Sequence, residues 1–230
     1  MIKAAIFDLD NTLYDFFAAH NAAYSAVADY AQHALGLSRQ DFDALHRWGS
    51  RALEESAGRN SAAIHNRLIR YQLMLEHTGR PLLYAPEMAR RYWNTLLDCM
   101  TPFPDAHETL EKLRAMGLKV GIGTNMTAEL QFEKLDRIGL LPLIDFIVTS
   151  EEVSAEKPDA RLFHRCAFKA ACEREACAFI GDNLRTDALG AAAAGLRGIW
   201  FHPGDSDDGT PEGILRVSAL ARLPELLSTL

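Results

Sequence analysis

A short apolar run, Lys3-Ala4-Ala5-Ile6-Phe7, halts at Asp8, and four later segments repeat that form: Lys119 to Gly123, Phe146 to Thr149, Ala178 to Ile180 and Gly198 to Phe201. Continuous apolar runs this short are expected of strands covered on both faces, and therefore of a parallel sheet. Helical patterns separate them: Ala106 to Met116 before Gly117, Thr127 to Ile138 before Gly139, Pro158 to about Cys172, and Leu184 to Ala194 before Gly195. A glycine just past a helix supplies the left-handed residue that ends it. Strand and helix in alternation predict a layered α/β fold.

Residues 15–99 break that alternation, because helical periodicity runs through them without a strand-like segment. Phe17, Tyr24, Val27, Ala28, Ala31 and Leu35 trace the stripe of a first helix, and Ser38 stands where it caps a second carried by Phe42, Leu45 and Leu53. Ile64, Leu68, Tyr71 and Leu75 predict a third helix, and Met88, Tyr92 and Leu96 a fourth. Trp48, Tyr71, Tyr92 and Trp93 read as interior of this module. Thr101-Pro102-Phe103-Pro104 closes it as a stiff linker. The expected organisation is a core of residues 1–14 and 100–230, with an all-helical insert, 15–99, over the carboxyl end of the first strand.

Apolar residues are 48% and charged residues 24%, which excludes a disordered chain. Lys and Arg total 24 against 31 Asp and Glu, and the only adjacent arginines are Arg90 and Arg91, so a nucleic acid polymer is not an expected partner. No apolar run approaches the roughly 18 residues of a membrane span. Asp8 and Asp10 interrupt the opening that a signal peptide would need, and the expectation is a cytoplasmic protein without a membrane partner. Cys99, Cys166, Cys172 and Cys177 form no Cys-x-x-Cys pair and read as small buried hydrophobes.

The chemistry lies at the strand ends. Asp8-Leu9-Asp10-Asn11-Thr12 places two carboxylates on one side of an extended chain, roughly 6 to 7 Å apart. Gly123-Thr124-Asn125 offers a hydroxyl, an amide and backbone N–H groups to an anion. Lys157 precedes Pro158, a residue favoured in a first helical turn, which puts an ammonium group near a helix N-terminus. Gly181-Asp182 and Asp187 add two carboxylates. In an open parallel sheet the ligand crevice lies outside the carboxyl ends of the strands, so these groups converge.

In this order and spacing, Asp8-x-Asp10-x-Thr12, Thr124, Lys157-Pro158 and Gly181-Asp182-x-x-x-x-Asp187 resemble the haloacid dehalogenase superfamily, over essentially the whole chain. The resemblance implies a Rossmann-like three-layer core, a parallel sheet of order 5-4-1-2-3 and a helical cap after the first strand. It implies Asp8 as nucleophile, Asp10 as general acid and base, Thr124 and Lys157 as phosphoryl ligands, and Mg2+ on Asp8, the Asp10 backbone carbonyl, Asp182 and Asp187. Four carboxylates and a phosphate in one crevice give a metal an independent reason, since each like-charge pair near 4 Å repels by about 4 kcal/mol at an effective dielectric of 20. One lysine does not offset that, whereas a hard divalent ion does.

The expected function is hydrolysis of a small phosphorylated metabolite, with a leaning to a 5'-nucleotide and a sugar-phosphate phosphatase or phosphoglucomutase-type mutase as alternatives. Dehalogenases of the superfamily lack the second acid of the first motif, and phosphonatases use a cap lysine that residues 15–99 do not contain. A non-catalytic binding protein predicts a damaged catalytic position, and none is seen. Asn125 joins Thr124 and Lys157 as an expected substrate contact. So does His20, which stands early in the insert beside Asp15 and Asn21. Asp205, Asp207, Asp208 and Glu212 read as a solvated turn rather than a calcium loop, because Gly209 is one residue early for that pattern.

Overall fold

The computed structural model describes residues 1–204 and 209–230. The expected turn at Asp205, Asp207 and Asp208 lies outside them. The chain divides into two compact units, Met1–Asp15 with Thr101–Leu230, and Phe16–Met100.

The first unit opens with β1 (Ala4–Phe7), which is buried throughout. The chain then enters the helical unit through α1 (Phe16–Leu35) and α2 (Arg39–Ala57). Ser38 Oγ accepts the Asp41 N–H at 3.2 Å and caps α2. A short 3-10 turn (Ala62–His65) leads to α3 (Arg67–His77) and α4 (Tyr84–Cys99). Gly49 lets α2 meet α3 closely, because a β-carbon there would lie 2.7 Å from Met74 Cγ.

Two details of this unit differ from the periodic reading, and two cysteines of the chain differ from their expected burial. Phe17 is 62% exposed, and α1 buries the small residues Ala19, Ala23, Val27, Ala28 and Ala31. Ile64 belongs to the 3-10 turn and Leu68 is 43% exposed, because α3 turns Arg67, Tyr71, Met74 and Leu75 inward. Cys99 is exposed and Cys172 half-buried, whereas Cys166 and Cys177 are buried as expected.

The core resumes with α5 (Ala106–Ala115), β2 (Lys119–Thr124), α6 (Ala128–Arg137), β3 (Phe146–Thr149), α7 (Ser150–Val153), α8 (Ala160–Ala170) and β4 (Cys177–Gly181). It ends with α9 (Leu189–Ala193), β5 (Arg197–Phe201), β6 (Leu215–Val217) and α10 (Leu223–Ser228). The sheet is parallel throughout, in the order β3-β2-β1-β4-β5-β6. Five strands keep the expected order. The sixth, Leu215-Arg216-Val217, is an addition whose mixed composition hid it: an edge strand needs no two-sided apolar cover.

Ile6 lies between Gly121 and Phe179 in register, and Phe7 between Ile122 and Ile180. Each such side chain stabilises the fold by about 1.5–3 kcal/mol through burial. Below the sheet, Leu162, Phe163 and Cys166 of α8 pack with Ile6, Val148 and Phe179. Two helix starts differ from the sequence reading. The expected helix at Pro158 begins at Ala160, with Asp159 as its cap, and the segment Leu184–Ala188 winds as a wide π turn before α9.

Candidate active site

The strand order reverses at β1, whose neighbours β2 and β4 carry the chain to opposite edges; such a switch point opens a crevice at the strands' carboxyl ends. Asp8 is the first residue beyond β1. Its N–H still donates to Ile180 O at 2.8 Å, so the ladder holds the backbone from which the carboxylate projects. Asn11 then takes a left-handed conformation (φ 59°), and Thr12 and Leu13 fold their N–H groups back onto Leu9 O. That coil, rather than an extended strand, separates the fates of the two acids.

Lys157 Nζ lies 2.6 Å from Asp8 Oδ1 and 2.8 Å from Asp187 Oδ1. All three residues are buried. The lysine owes its position to Asn125, whose Oδ1 accepts the Lys157 N–H at 2.7 Å. Asn125 Nδ2 faces Lys157 O at 3.5 Å. Asn125 therefore positions the lysine backbone, a different contact from the one its place at a strand end suggested. Lys157 sits in the loop before α8, and its charge acts through the two carboxylates rather than from a helix start.

Asp187 is fixed by the π turn, where its Oδ2 accepts the Asn183 N–H at 3.0 Å. It stands against the bare face of Gly181, where a β-carbon would lie 2.4 Å from Asp187 Oδ2. Asp182 is oriented through its backbone. Its N–H donates to Thr12 Oγ1 at 3.1 Å, and its carbonyl accepts Trp200 Nε1 at 2.8 Å. Ligand oxygens of Asp8, Asp182 and Asp187 lie within 4.8 Å of one another. Opposite ligands of Mg2+ span about 4 Å, so three hard carboxylate donors at this spacing suit such an ion.

Asp10 is not part of that trio. Its carboxylate is gripped by Lys134, with Nζ 2.7 Å from Oδ1 and 2.9 Å from Oδ2, and it accepts the Tyr14 hydroxyl at 2.6 Å. Lys134 is 1% exposed and corrects the count of one lysine against four carboxylates. Thr124 is buried, and its Oγ1 accepts Gln131 Nε2 at 2.6 Å, which leaves the hydroxyl hydrogen available as a donor. Sequence reasoning passed over Lys134 and Gln131, yet a signal existed. Gln131, Lys134, Leu135 and Ile138 occupy one helical stripe, and two polar members on a buried stripe mark a function.

His20 stands on α1 in the helical unit, apart from this list. Its Nδ1 lies 2.6 Å from Tyr92 Oη and its ring stacks on Phe16.

The electrostatics suit a cation. Burial is the main force that pushes the Asp8 carboxyl up to about 7; Lys157 opposes it, and Asp187, Asp10 and Asp182 add to it. Burial and then Asp187 push Asp182 up to about 6. Burial disfavours the charge on Lys157, but Asp187 and Asp8 outweigh it and hold the ammonium above its usual range. When all three are ionised, three carboxylates against one ammonium leave two negative charges in the crevice. A divalent cation relieves that excess.

The sequence matches the haloacid dehalogenase-like hydrolase family over residues 2–195. It is 35% identical to a ribulose-1,5-bisphosphate 5-phosphatase of Halopiger xanaduensis, over 91% of this chain and 89% of that protein. It is 28% identical to a pyrimidine 5'-nucleotidase of Escherichia coli, over 96% of each. Among solved structures, a 2-haloacid dehalogenase from Pseudomonas syringae pv. Tomato superposes with a TM-score of 0.81 at 29% identity, over 100% of this chain and 99% of that one.

Proposed function

This chain belongs to the haloacid dehalogenase-like hydrolases, and from that premise we propose that it is a magnesium-dependent phosphomonoesterase with Asp8 as nucleophile. The observation that carries the reading is the Lys157 bridge between Asp8 and Asp187 beside Asp182, a cluster ready for a metal and a phosphoryl group. The core, residues 1–14 and 100–230, performs the chemistry. The helical insert, 15–99, acts as a cap that selects the leaving group.

An Asp8 carboxylate oxygen forms a bond to phosphorus as the ester P–O bond breaks, and Asp10, protonated in the substrate-bound enzyme, gives its proton to the departing alkoxide and returns to the carboxylate that Lys134 holds. Asp10, now a carboxylate, takes a proton from water as the water oxygen bonds to phosphorus, and the Asp8–phosphorus bond breaks to release phosphate. Division of one hydrolysis into two steps is the gain of covalent catalysis. Lys157 keeps Asp8 oriented, and the Thr124 hydroxyl donates to a phosphoryl oxygen. When bound, Mg2+ on Asp8, Asp182, Asp187 and the Asp10 backbone carbonyl supplies positive charge against the transferring group.

The relatives' names point to a phosphorylated sugar and to a nucleotide, so the proposed substrate is a small phosphorylated metabolite. A sugar phosphate stands ahead of a 5'-nucleotide, because the sugar-phosphate relative is 35% identical and the nucleotidase 28%. Despite the dehalogenase neighbour, Asp10 and its Lys134 and Tyr14 partners favour phosphoryl transfer, where a second acid has a proton to move. The test is hydrolysis of p-nitrophenyl phosphate with Mg2+. Asp8→Asn is expected to cost roughly 10⁴-fold or more in kcat, and wild-type turnover by that variant would overturn the reading. A need for added sugar bisphosphate would identify a mutase instead.

A further inference from the structure

The helical unit contains a cluster of cationic and polar groups, Arg67 and Tyr71 buried and Arg70 and His46 half-buried, that phosphoryl transfer does not use. Arg67 and Arg70 stand one turn apart on α3, and Tyr71 follows on the same face, spacing that makes the three side chains neighbours. Arg67 is 8% exposed and Tyr71 fully buried. Among the described residues, no carboxylate forms an ion pair with either arginine. Of the nine buried side-chain polar atoms without a hydrogen-bond partner among those residues, four lie in this cluster: Arg67 Nε, Arg70 Nε, Tyr71 Oη and His46 Nε2.

What surrounds the cluster does not neutralise it. Arg67 packs its guanidinium on the Tyr92 and Trp93 rings, with its Cζ 4.6 and 5.7 Å from their centroids, and Nη2 donates to Tyr92 Oη at 3.2 Å. Arg70 Nη2 donates to Ile64 O at 3.0 Å. His46 reaches the Tyr71 ring at 6.3 Å and the Tyr24 ring at 4.9 Å. The acids in the neighbourhood have other partners, Asp43 with Arg39 and Tyr24, and Glu54 with Arg59. Burial, Arg67 and Arg70 hold His20 down to about 4, so near neutral pH its imidazole is uncharged. Its Nδ1 lies within hydrogen-bond distance of Tyr92 Oη, which accepts from Arg67 Nη2.

Buried charges are paired, and buried donors are satisfied, in folded proteins. Here two arginines have no acid, and three obligate donors, Arg67 Nε–H, Arg70 Nε–H and Tyr71 O–H, have no acceptor. The missing partner must be negative and must accept several hydrogen bonds. We propose that Arg67, Arg70, Tyr71 and His46 form an oxyanion-binding site in the helical unit, for a phosphate or carboxylate group of a small metabolite. A guanidinium pair with a hydroxyl suits such a group because the planar guanidinium fork matches the oxygens of a carboxylate or phosphate. The group is either a second anionic group on the substrate or a free anion. The first case rests on the phosphatase reading; the site itself does not.

Two measurements on the full chain test the site and name the source. In metal-free protein, inorganic phosphate is titrated while the Arg67 and Arg70 side-chain Nε–H resonances are followed; both are expected to shift saturably. Arg70→Met is expected to abolish the Arg67 shift. Tyr71→Phe, which removes only an unpaired hydroxyl, is expected to weaken it, and this second variant keeps the test open should Arg70→Met misfold. Turnover of a sugar bisphosphate and of p-nitrophenyl phosphate is then compared. A fall of roughly ten- to hundredfold in kcat/KM for the bisphosphate alone assigns the site to the substrate's second anion. Loss of the phosphate shift with both turnovers unchanged assigns it to a free anion. No saturable shift in the wild-type resonances overturns the site. Absence of any phosphatase activity would sink the functional reading while the titration still decided this one.

Discussion

Lys134 holds both carboxylate oxygens of Asp10, at 2.7 and 2.9 Å, from 124 residues away in sequence. The ammonium is 1% exposed and comes from the inward face of α6, so the acid proposed to move protons is clamped by a helix that contributes none of the motif residues read from the sequence. Asp8 and Asp10, two residues apart, are thereby assigned to different cations.

Replacement of that ammonium should separate orientation from charge. Lys134→Met leaves a partly exposed carboxylate with one of its partners gone, at a cost of about 1–3 kcal/mol. Turnover of p-nitrophenyl phosphate should fall by roughly 10²–10⁴-fold, the usual worth of a placed acid–base group. Denaturant unfolding beside kcat checks both, and Asp10→Asn/Lys134→Met should recover stability without activity. Full activity in the single variant would remove Lys134 from the mechanism.

If the acidic trio holds Mg2+ as proposed, metal and protons compete for it. The folded-state values of Asp8, about 7, and Asp182, about 6, stand above the ordinary 3.8, so the metal-free fold binds more protons than the unfolded chain in between. The stability these two groups contribute is full below about 4 and is lost as pH rises through 6 and 7. Mg2+ binds the deprotonated form and should raise the melting temperature far more at pH 8 than at pH 5. Calorimetry with and without Mg2+ at both values decides it; an equal rise would contradict the assignment of these ligands.

The helical unit should respond to acid in the opposite sense. Burial first, then Arg70, Arg67 and His20, hold His46 down to about 3 against a weak pull from Asp43. Burial and the same arginines hold His20 down to about 4. Folded-state values below the ordinary 6.5 mean that stability from these rings is complete above 6.5 and is lost as pH falls toward 4 and 3. Urea midpoints at pH 7 and pH 5 should show the loss, and His46→Gln should reduce it. An unchanged pH slope in that variant would argue against the assignment.

Gly181 is where a single methyl group reaches the acidic trio of Asp8, Asp182 and Asp187. In Gly181→Ala the added carbon would sit 2.4 Å from Asp187 Oδ2, so the carboxylate must leave Lys157. Overpacking of this kind costs about 1–3 kcal/mol. Affinity for Mg2+ should drop with it, as isothermal titration would reveal. Normal metal affinity would show that Asp187 is dispensable as a ligand.

Five buried strands were legible because two-sided burial leaves a residue-level trace, an unbroken apolar run, and the helices between them because periodicity and terminal glycines do the same. β6 left no such trace, since it is only three residues long and Val217 alone of Leu215-Arg216-Val217 is buried. The inner face of α1 was misread at Phe17 because periodicity marks two possible apolar faces where alanines are abundant, and packing chose the smaller one.

Asp8, Asp10 and Asp182 could be named from the chain because each lies at or just beyond a strand end, and strand ends in a parallel sheet are brought to one edge by topology alone; Lys157 was marked by Pro158 after it and Asp187 by its spacing from Asp182. Which cation faces which acid, the bond from Gln131 to Thr124 and the unpaired arginines of α3 are matters of distance between segments far apart in sequence. Local pattern carries hydrophobic period and turn chemistry, but an ion pair is selected by three-dimensional proximity and by the cost of burying a charge alone. Only the folded chain settles those.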